Sequence, residues 1–362
     1  MQCKRCLMSE PEVKLNEEGI CNFCLMHDEL EKQSEKYLNA FPRFLNKIRK
    51  KKNKYNCLIG ISGGLDSSLM LEYAVKKWNL KPLVVHFDNG WNKPEAEHNI
   101  KTMVNALNVD FIRYSVKQKE YDDLCRAFLL ASVSDADIPN DMVMSELMVR
   151  TADLYNIKYI LNGHNFRTEG SSPLAWTYMD ARYLQSVYMK FTGRKLKMNL
   201  LTFKKQLWYA LKGIKHIRPM YYNPVNMMEE KSRLIKEYGW KDYGDKHAEN
   251  IYTQFIGSYY LPVKFGIDKR VTYYSAMIRT GIIPNFKKLS DPLPPFNVNY
   301  IKLICARLGI EEALFNQIMK TPRNYFTDFG TYHHLFKKYK LLLWLGVKLN
   351  LIPYTFYKKY SS

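Results

Sequence analysis

The stretch Ser62-Gly63-Gly64-Leu65-Asp66-Ser67-Ser68 most constrains what this chain can fold into. An apolar run, Asn56–Ile61, precedes it. Leu69-Met70-Leu71-Glu72-Tyr73-Ala74-Val75 follows at helical spacing. Strand, glycine turn and helix start therefore come in order. Gly63 and Gly64 permit a backbone conformation that a Cβ opposes. The turn's N–H groups, the hydroxyls of Ser62, Ser67 and Ser68, and the positive helix end then face one point. That arrangement binds phosphate. There is no Gly-Lys-Ser/Thr ending, so the stretch is not a Walker loop.

Strands are expected at Asn56–Ile61, Pro82–Phe87, Asp110–Tyr114 and Tyr159–Asn162. Helical patterns lie between them, at Ser67–Trp78, Glu95–Leu107, Tyr121–Ala131 and Val143–Tyr155. This alternation predicts an α/β fold with a doubly wound parallel sheet. Ligands of such sheets sit at the carboxyl ends of strands, where Ser62, Asp88 and Gly163 fall. Beyond about residue 170 the chain is rich in Tyr, Phe, Trp and basic residues and reads as mostly helical. The expected organisation is a cysteine module at 1–30, a helical linker at 31–54, an α/β domain carrying the phosphate loop at 55–225 and a helical substrate or partner region at 226–362.

Four of the seven cysteines fall in the first 24 residues, as Cys3-x-x-Cys6 and Cys21-x-x-Cys24. Two such knuckles suit a closed, tetrahedral structural zinc site of the zinc-ribbon type. The same ligands suit an iron–sulfur cluster, which ranks second. Cys57, Cys125 and Cys305 are isolated, and buried apolar roles are expected for them.

The SGGLDS run resembles the PP-loop of the ATP pyrophosphatases. In that superfamily the loop holds the pyrophosphate of ATP while a substrate oxygen attacks the α-phosphate. The resemblance implies ATP contacts from Ser62, Gly63, Gly64, Asp66, Ser67 and Ser68, with Asp66 also serving Mg²⁺ or the loop itself. In His86-Phe87-Asp88-Asn89, Asp88 and Asn89 are placed to meet the adenosine, though an Asx turn also explains them. Asn162-Gly163-His164-Asn165 resembles the second ATP signature, with Gly163 allowing close approach and His164 contacting phosphate. Glu169, a few residues on, is a candidate base or substrate contact. Two further segments, Gly239–Glu249 and Leu261–Arg270, carry Lys241, Lys246, His247, Lys264, Asp268, Lys269 and Arg270. Such groups neutralise phosphate charge or bind substrate. A solvated charged face is the plainer reading, but interleaved glycines and aromatics fit a pocket better.

Taken together, these motifs are similar to the N-acetyl sugar amidotransferase family of bacterial surface-polysaccharide synthesis. The similarity spans the cysteine pairs, SGGLDSS, HFDNGWN, GHN with TEG, GWKDYGDKH and LPVKFGIDKR. It implies that an acetamido group of a sugar or sugar nucleotide is adenylated by ATP and attacked by ammonia, yielding an acetamidino group. It also implies ATP, Mg²⁺ and structural Zn²⁺ as cofactors. Catalytic roles are implied for Asp66, His164, Glu169, Lys246 and Lys264, and substrate binding for Asn165, Lys241, His247, Asp268, Lys269 and Arg270. Ammonia would come from a separate glutaminase and a cyclase-like partner. Cys3 follows Gln2 within a CxxC pair, so no N-terminal glutaminase nucleophile is expected here. Two features depart from the pattern: a basic 185–224 segment, and Val271-Thr272-Tyr273-Tyr274 where relatives carry a more polar, histidine-containing stretch.

The formal charge is +20 over 362 residues, and it is uneven. Neither 185–224 nor 331–362 contains an Asp or Glu. Such surfaces attract polyanions: tRNA, anionic lipid or nucleotide-linked substrates. The runner-up reading is accordingly a thiolase-type tRNA-modifying enzyme with an N-terminal zinc ribbon, and a non-catalytic ATP-binding module ranks third. The longest apolar run, Leu341–Val347, is too short to span a bilayer. It and its lysines can instead meet a membrane surface, although a packed helix is the plainer expectation. With no signal-peptide pattern at Met1–Cys6, a soluble cytoplasmic protein is expected.

Overall fold

A computed structural model describes residues 1–51, 53–284, 289, 291–348, 352 and 354–360. Its centre is a parallel sheet of five strands: β1 Cys57–Gly60, β2 Pro82–Asp88, β3 Asp110–Ser115, β4 Tyr159–Leu161 and β5 Lys215–Ile217. The spatial order is β3-β2-β1-β4-β5. The chain thus runs outward from β1 to β3, crosses back, and continues on the other side with β4. The order reverses between β1 and β4, and that crevice is where such sheets bind ligands.

The strand apolarity follows position. β1 and β4 sit inside the sheet, and the side chains of Leu58, Ile59, Ile160 and Leu161 are buried. β2 is buried along most of its length, as parallel strands covered on both faces are. β3 is an edge strand and is largely exposed. The four expected strands and the four helices between them are all present, as Leu65–Glu72, Pro94–Ala106, Gln118–Leu130 and Ile138–Leu154. The first of these helices widens into a π turn over Tyr73–Lys77 before Trp78 ends it. β5 is the strand that the apolar pattern does not reveal.

The helix Asn22–Leu38 starts at Cys21, its N-cap, so the second cysteine pair opens a helix that continues through the expected linker. A second helix, Phe41–Arg49, completes that linker and packs Phe41 edge-on against Trp78. The region beyond residue 226 is helical, as expected. Its first part folds back onto the loop helix rather than away from it. Arg233 of the helix Met227–Tyr238 pairs with Glu72 at 2.8 Å. Among the described residues, no helix is long and apolar enough to cross a membrane.

Candidate active site

The strand β1 hands directly to the loop. Ile61 donates its N–H to the Val85 carbonyl at 2.9 Å, and Ser62 then begins the turn. Gly63 takes φ +79°, and a Cβ there would stand 2.4 Å from the carbonyl oxygen of Ala96. Gly163, just past β4, would place a Cβ 2.7 Å from the carbonyl oxygen of Asp66. Glycine is therefore required on both strands that flank the switch point, because the loop and helix start press against their neighbours there.

In this structure three of the loop's donors are covered by hydroxyls, two of them the loop's own. The Ser62 N–H donates to Ser67 Oγ at 3.2 Å, and the Gly64 N–H donates to Ser62 Oγ at 3.2 Å. The Leu65 N–H donates to the Tyr243 hydroxyl at 3.0 Å. Ser62 Oγ in turn donates to Glu249 Oε1 at 3.2 Å. The other carboxylate oxygen, Glu249 Oε2, is buried and has no hydrogen-bond partner among the described residues. Burial pushes the Glu249 carboxyl up, as expected of an acid whose second oxygen lacks a donor.

A charged network closes the other side. His164 Nδ1 lies 2.5 Å from Glu169 Oε2. Lys246 Nζ lies 3.9 Å from Glu169 Oε1 and 3.7 Å from Asp66 Oδ2. Burial pushes Asp66 up while Lys246 pulls it back. Burial would raise Glu169 too, but the charges of His164 and Lys246 outweigh it and bring its pKa to about 2. Two carboxyls with opposite shifts thus share one ammonium. Such a pairing is typical of sites that handle charge. His247 stands beside Tyr273, ring centroids 5.8 Å apart, and Lys246 lies over the same ring at 5.5 Å.

Asp66, Gly163, His164, Glu169 and Lys246 therefore gather with Ser62, Gly63, Gly64 and Ser67 at the switch point. Several other expected site residues are placed differently. Ser68 is buried, and its hydroxyl accepts the indole N–H of Trp240 at 3.2 Å, so it is turned from the loop. Asn89 is buried, bonding Asn140 at 2.8 Å and accepting from the Trp91 N–H at 3.1 Å. It fixes the loop after β2. Asp88 is paired with Arg113 at 3.0 Å. Asn165 caps the short helix Phe166–Glu169 by accepting the Arg167 N–H.

Lys264 is not brought to the loop. Its ammonium donates to the carbonyls of Ile318, Met319 and Thr321 at the end of the helix Glu312–Lys320, the last at 2.7 Å. The final carbonyls of a helix have no partner within it, and a cation there satisfies them. Arg270 pairs with Asp268 at 2.7 Å and donates to the carbonyls of Asp291 and Pro292. Lys269 faces Asp137 and Asp141, half-buried carboxyls that burial pushes up, Asp141 to about 6. Lys241 is exposed; its backbone N–H donates to Asn99 Oδ1 at 2.7 Å.

Two functional candidates that sequence reasoning did not single out are Tyr243 and Glu249. Both lie in the Gly239–Glu249 segment, whose density of polar and aromatic groups is the signal that pointed to a pocket. Asn99 ties that segment to the loop. Its side-chain amide donates to the Gly63 carbonyl at 3.0 Å and to the Lys241 carbonyl at 2.9 Å.

The cysteine module forms a second centre. The Sγ atoms of Cys3, Cys6, Cys21 and Cys24 are buried and lie within 4.8 Å of one another. The Cys3–Cys24, Cys6–Cys21 and Cys21–Cys24 separations are 3.8, 3.7 and 3.5 Å. Four thiolates at about 2.3 Å from one tetrahedral zinc would stand about 3.8 Å apart. The donor set therefore fits a single tetrahedral ion. A four-iron cube, with each thiolate on its own corner, would spread them further. Arg279, nearly buried, donates to Cys24 Sγ and Cys6 Sγ at 3.2 Å each and supplies positive charge beside the thiols. The module also reaches the site: Glu31 on its helix accepts Arg167 Nε at 2.8 Å, two residues before Glu169.

Residues 249–343 match the model of the C-terminal domain of WbpG-like LPS biosynthesis proteins. Residues 56–129 match the phosphoadenosine phosphosulfate reductase domain, a PP-loop domain. An uncharacterized protein of Methanocaldococcus jannaschii, MJ1599, is 29% identical over 167 residues, which are 45% of this chain. The match spans 59% of that relative's length. Among solved structures, NMN synthetase from Francisella tularensis aligns with TM-score 0.29 and 14% identity, over 64% of this chain and 92% of that one. U34-tRNA thiolase NcsA from Methanococcus maripaludis, with its [4Fe-4S] cluster, aligns with TM-score 0.33 and 15% identity, over 86% and 99%. Likeness at these scores says nothing about the site.

Proposed function

We propose that this chain, which belongs to the PP-loop superfamily and carries a WbpG-like C-terminal domain, is an ATP-dependent N-acetyl sugar amidotransferase. The acceptor is an acetamido sugar or sugar nucleotide of surface-polysaccharide synthesis. Its amide oxygen attacks the α-phosphate of ATP, the bond to the β-phosphate breaks and pyrophosphate leaves. Ammonia then adds to the imidate carbon. AMP leaves with the former amide oxygen, and an acetamidino group remains. The observation that supports this reading most is the SGGLDSS loop at the switch point, facing Asp66, Lys246 and Glu169, in a chain whose 249–343 segment is WbpG-like.

Each group has a physical task. Pyrophosphate takes the loop N–H groups that Ser62, Ser67 and Tyr243 now cover, and these hydroxyls turn to donate to it. Lys246 moves part of its charge from Asp66 and Glu169 to the leaving phosphates, stabilising charge that grows in the transition state. Glu169 holds His164 in place beside them. Mg²⁺, when bound, neutralises phosphate oxygens. The unpartnered Glu249 Oε2 and the Asp66 carboxylate are the donors this chain offers it. Zinc in the cysteine module would be structural. Ammonia would come from a separate glutaminase and a cyclase-like partner.

A thiolase-type reading needs a reactive sulfur near the loop. Cys57 and Cys125 are fully buried and Cys305, the other free candidate, is half-buried; burial pushes all three thiols up, which opposes thiolate formation. Nucleotide products separate the readings. The protein would be incubated with ATP, Mg²⁺ and ammonium, with a panel of acetamido sugars and sugar nucleotides, and separately with bulk tRNA. AMP and pyrophosphate formed only with a sugar are expected, with ammonium sufficing and glutamine alone inactive. Products formed only with tRNA would overturn the proposal.

A further inference from the structure

The helix Phe203–Leu211 contains Phe203, Leu207, Trp208, Tyr209 and Leu211, yet none of its nine residues is buried. Trp208 is 57% exposed and Leu211 70%. Tyr209 packs half-buried against the core, but Phe203, Leu207, Trp208 and Leu211 stay exposed, and exposed apolar surface of this kind marks an interaction site. Its N-terminal residue meets the C-terminal helices. Phe203 and Phe336 place their rings 6.1 Å apart, and Phe336 lies in the helix His333–Lys338. The next helix, Lys340–Lys348, exposes Leu341 at 70% and Leu342 at 61%, with Trp344 and Leu345 also exposed. The start of the first helix therefore meets the segment that leads into the second, and each helix presents bulky apolar groups to solvent.

Charge identifies what covers them. Residues 185–224 carry nine Lys and Arg and no acid, and residues 331–362 carry six Lys and no acid. Lys205 and Lys212 are partly neutralised by Glu146 and Asp153. Lys204, Lys337, Lys338, Lys340 and Lys348 are exposed, and none of them has an ion pair among the described residues. Each exposed tryptophan has a lysine over its ring, Lys212 at 5.0 Å from Trp208 and Lys348 at 5.2 Å from Trp344. The pattern joins Trp and Leu for insertion at headgroup depth with lysines that reach lipid phosphates. The buried centre of a protein–protein interface is depleted in lysine, so a protein partner fits this belt less well.

We infer that the helices Phe203–Leu211 and Lys340–Lys348 together form a docking surface for an anionic membrane. The protein would lie on the bilayer without crossing it. This inference does not rest on the reaction proposed above, and its test reads binding alone.

The test is flotation of the full-length protein with vesicles of phosphatidylcholine, alone or mixed with phosphatidylglycerol, at low and high salt. Tryptophan emission is recorded in parallel, and the urea unfolding midpoint serves as a check that each variant is folded. Binding to the mixed vesicles is expected, with a blue shift and at least a tenfold preference over neutral ones. Salt should weaken it. The double variants Leu207→Glu/Trp208→Glu and Leu342→Glu/Leu345→Glu should each lower binding about tenfold or more. The triple variant Lys337→Glu/Lys338→Glu/Lys340→Glu should remove the preference for anionic lipid. Absence of binding at low salt would overturn the proposal, as would binding that the double variants leave unchanged. Sedimentation showing a dimer that these variants dissociate, with no vesicle binding, would assign the surface to a second copy and overturn it equally.

Discussion

The cysteine module and the glycine loop are both polar centres, but they differ in completeness. In the module each thiol faces another, Arg279 lies against them, and little in the cluster points to solvent. In the loop the donors are covered by the hydroxyls of Ser62, Ser67 and Tyr243, and a buried carboxylate oxygen has no partner among the described residues. The donor set of the first centre fits one ion shut off from solvent. The second leaves an acceptor unsatisfied that a ligand can take up. A buried polar atom without a partner is costly to stability, and a ligand bound at the loop would supply the partner that Glu249 Oε2 lacks.

The largest expected effect tests the permanence of the module. Cys21→Ser removes one of four ligands. The variant should lose its metal and more than about 3 kcal/mol of stability, since metal binding there is coupled to folding. Elemental analysis of the fresh wild-type protein should find one zinc per chain. A metal-free wild-type protein, or a variant with an unchanged urea midpoint, would erase the contrast between the two centres.

Gly163→Ala tests the packing that holds the loop. The added Cβ meets a backbone carbonyl at 2.7 Å, and backbone cannot step aside as a flexible side chain can. Overpacking of this kind costs about 1–3 kcal/mol, and it should lower ATP turnover through the displaced helix start. Gly193→Ala is the control. It has φ +67° but nothing within 4 Å of the new Cβ, so about 1 kcal/mol of backbone strain is expected and turnover should hold. Equal turnover in the two variants would detach the β4 edge from the site.

The third test concerns charge. The folded pKa of Glu169, about 2, lies below its ordinary 4.5. Its ionised form is therefore favoured by folding. That contribution is whole above about pH 4.5 and is lost as pH falls toward 2. Glu169→Gln should thus be less stable than wild type at pH 7, and the gap in urea midpoints should shrink below pH 4. A gap that stays constant with pH would show that His164 and Lys246 do not set the state of Glu169.

What was legible in sequence followed from how local the cause was. The loop, four strands and four cysteines depend on spacing within a few residues, and they stand where the pattern placed them. The strand Lys215-His216-Ile217 was not legible, because it pairs at the sheet edge with little burial and so lacks an apolar run. Lys264 looked like its neighbours in a charged segment. Only the fold reveals that the exposed carbonyls of a helix more than 50 residues away claim it. Tyr243 and Glu249 reach the loop from 178 and 187 residues downstream, and the polar, aromatic density of their segment marks the region but not these two residues.

Ser68 is the sharpest remaining case, because its sequence position and its placement disagree. It stands within the SGGLDSS run beside Ser67, yet its hydroxyl is fully buried and accepts from Trp240. Ser67 Oγ instead accepts the Ser62 N–H and donates to the Gly64 carbonyl at 3.1 Å, inside the turn. Ser68→Ala should therefore cost about 1 kcal/mol, the usual net value of one hydrogen bond, with the indole N–H left unpaired. Its KM for ATP should not change. Ser67→Ala should be the reverse, with a weaker ATP interaction and little loss of stability. Urea unfolding and the ATP dependence of AMP formation distinguish them. A raised KM in Ser68→Ala with unchanged stability would mean that nucleotide binding frees this hydroxyl from Trp240, and that the exchangeable part of the site extends one residue deeper into the helix.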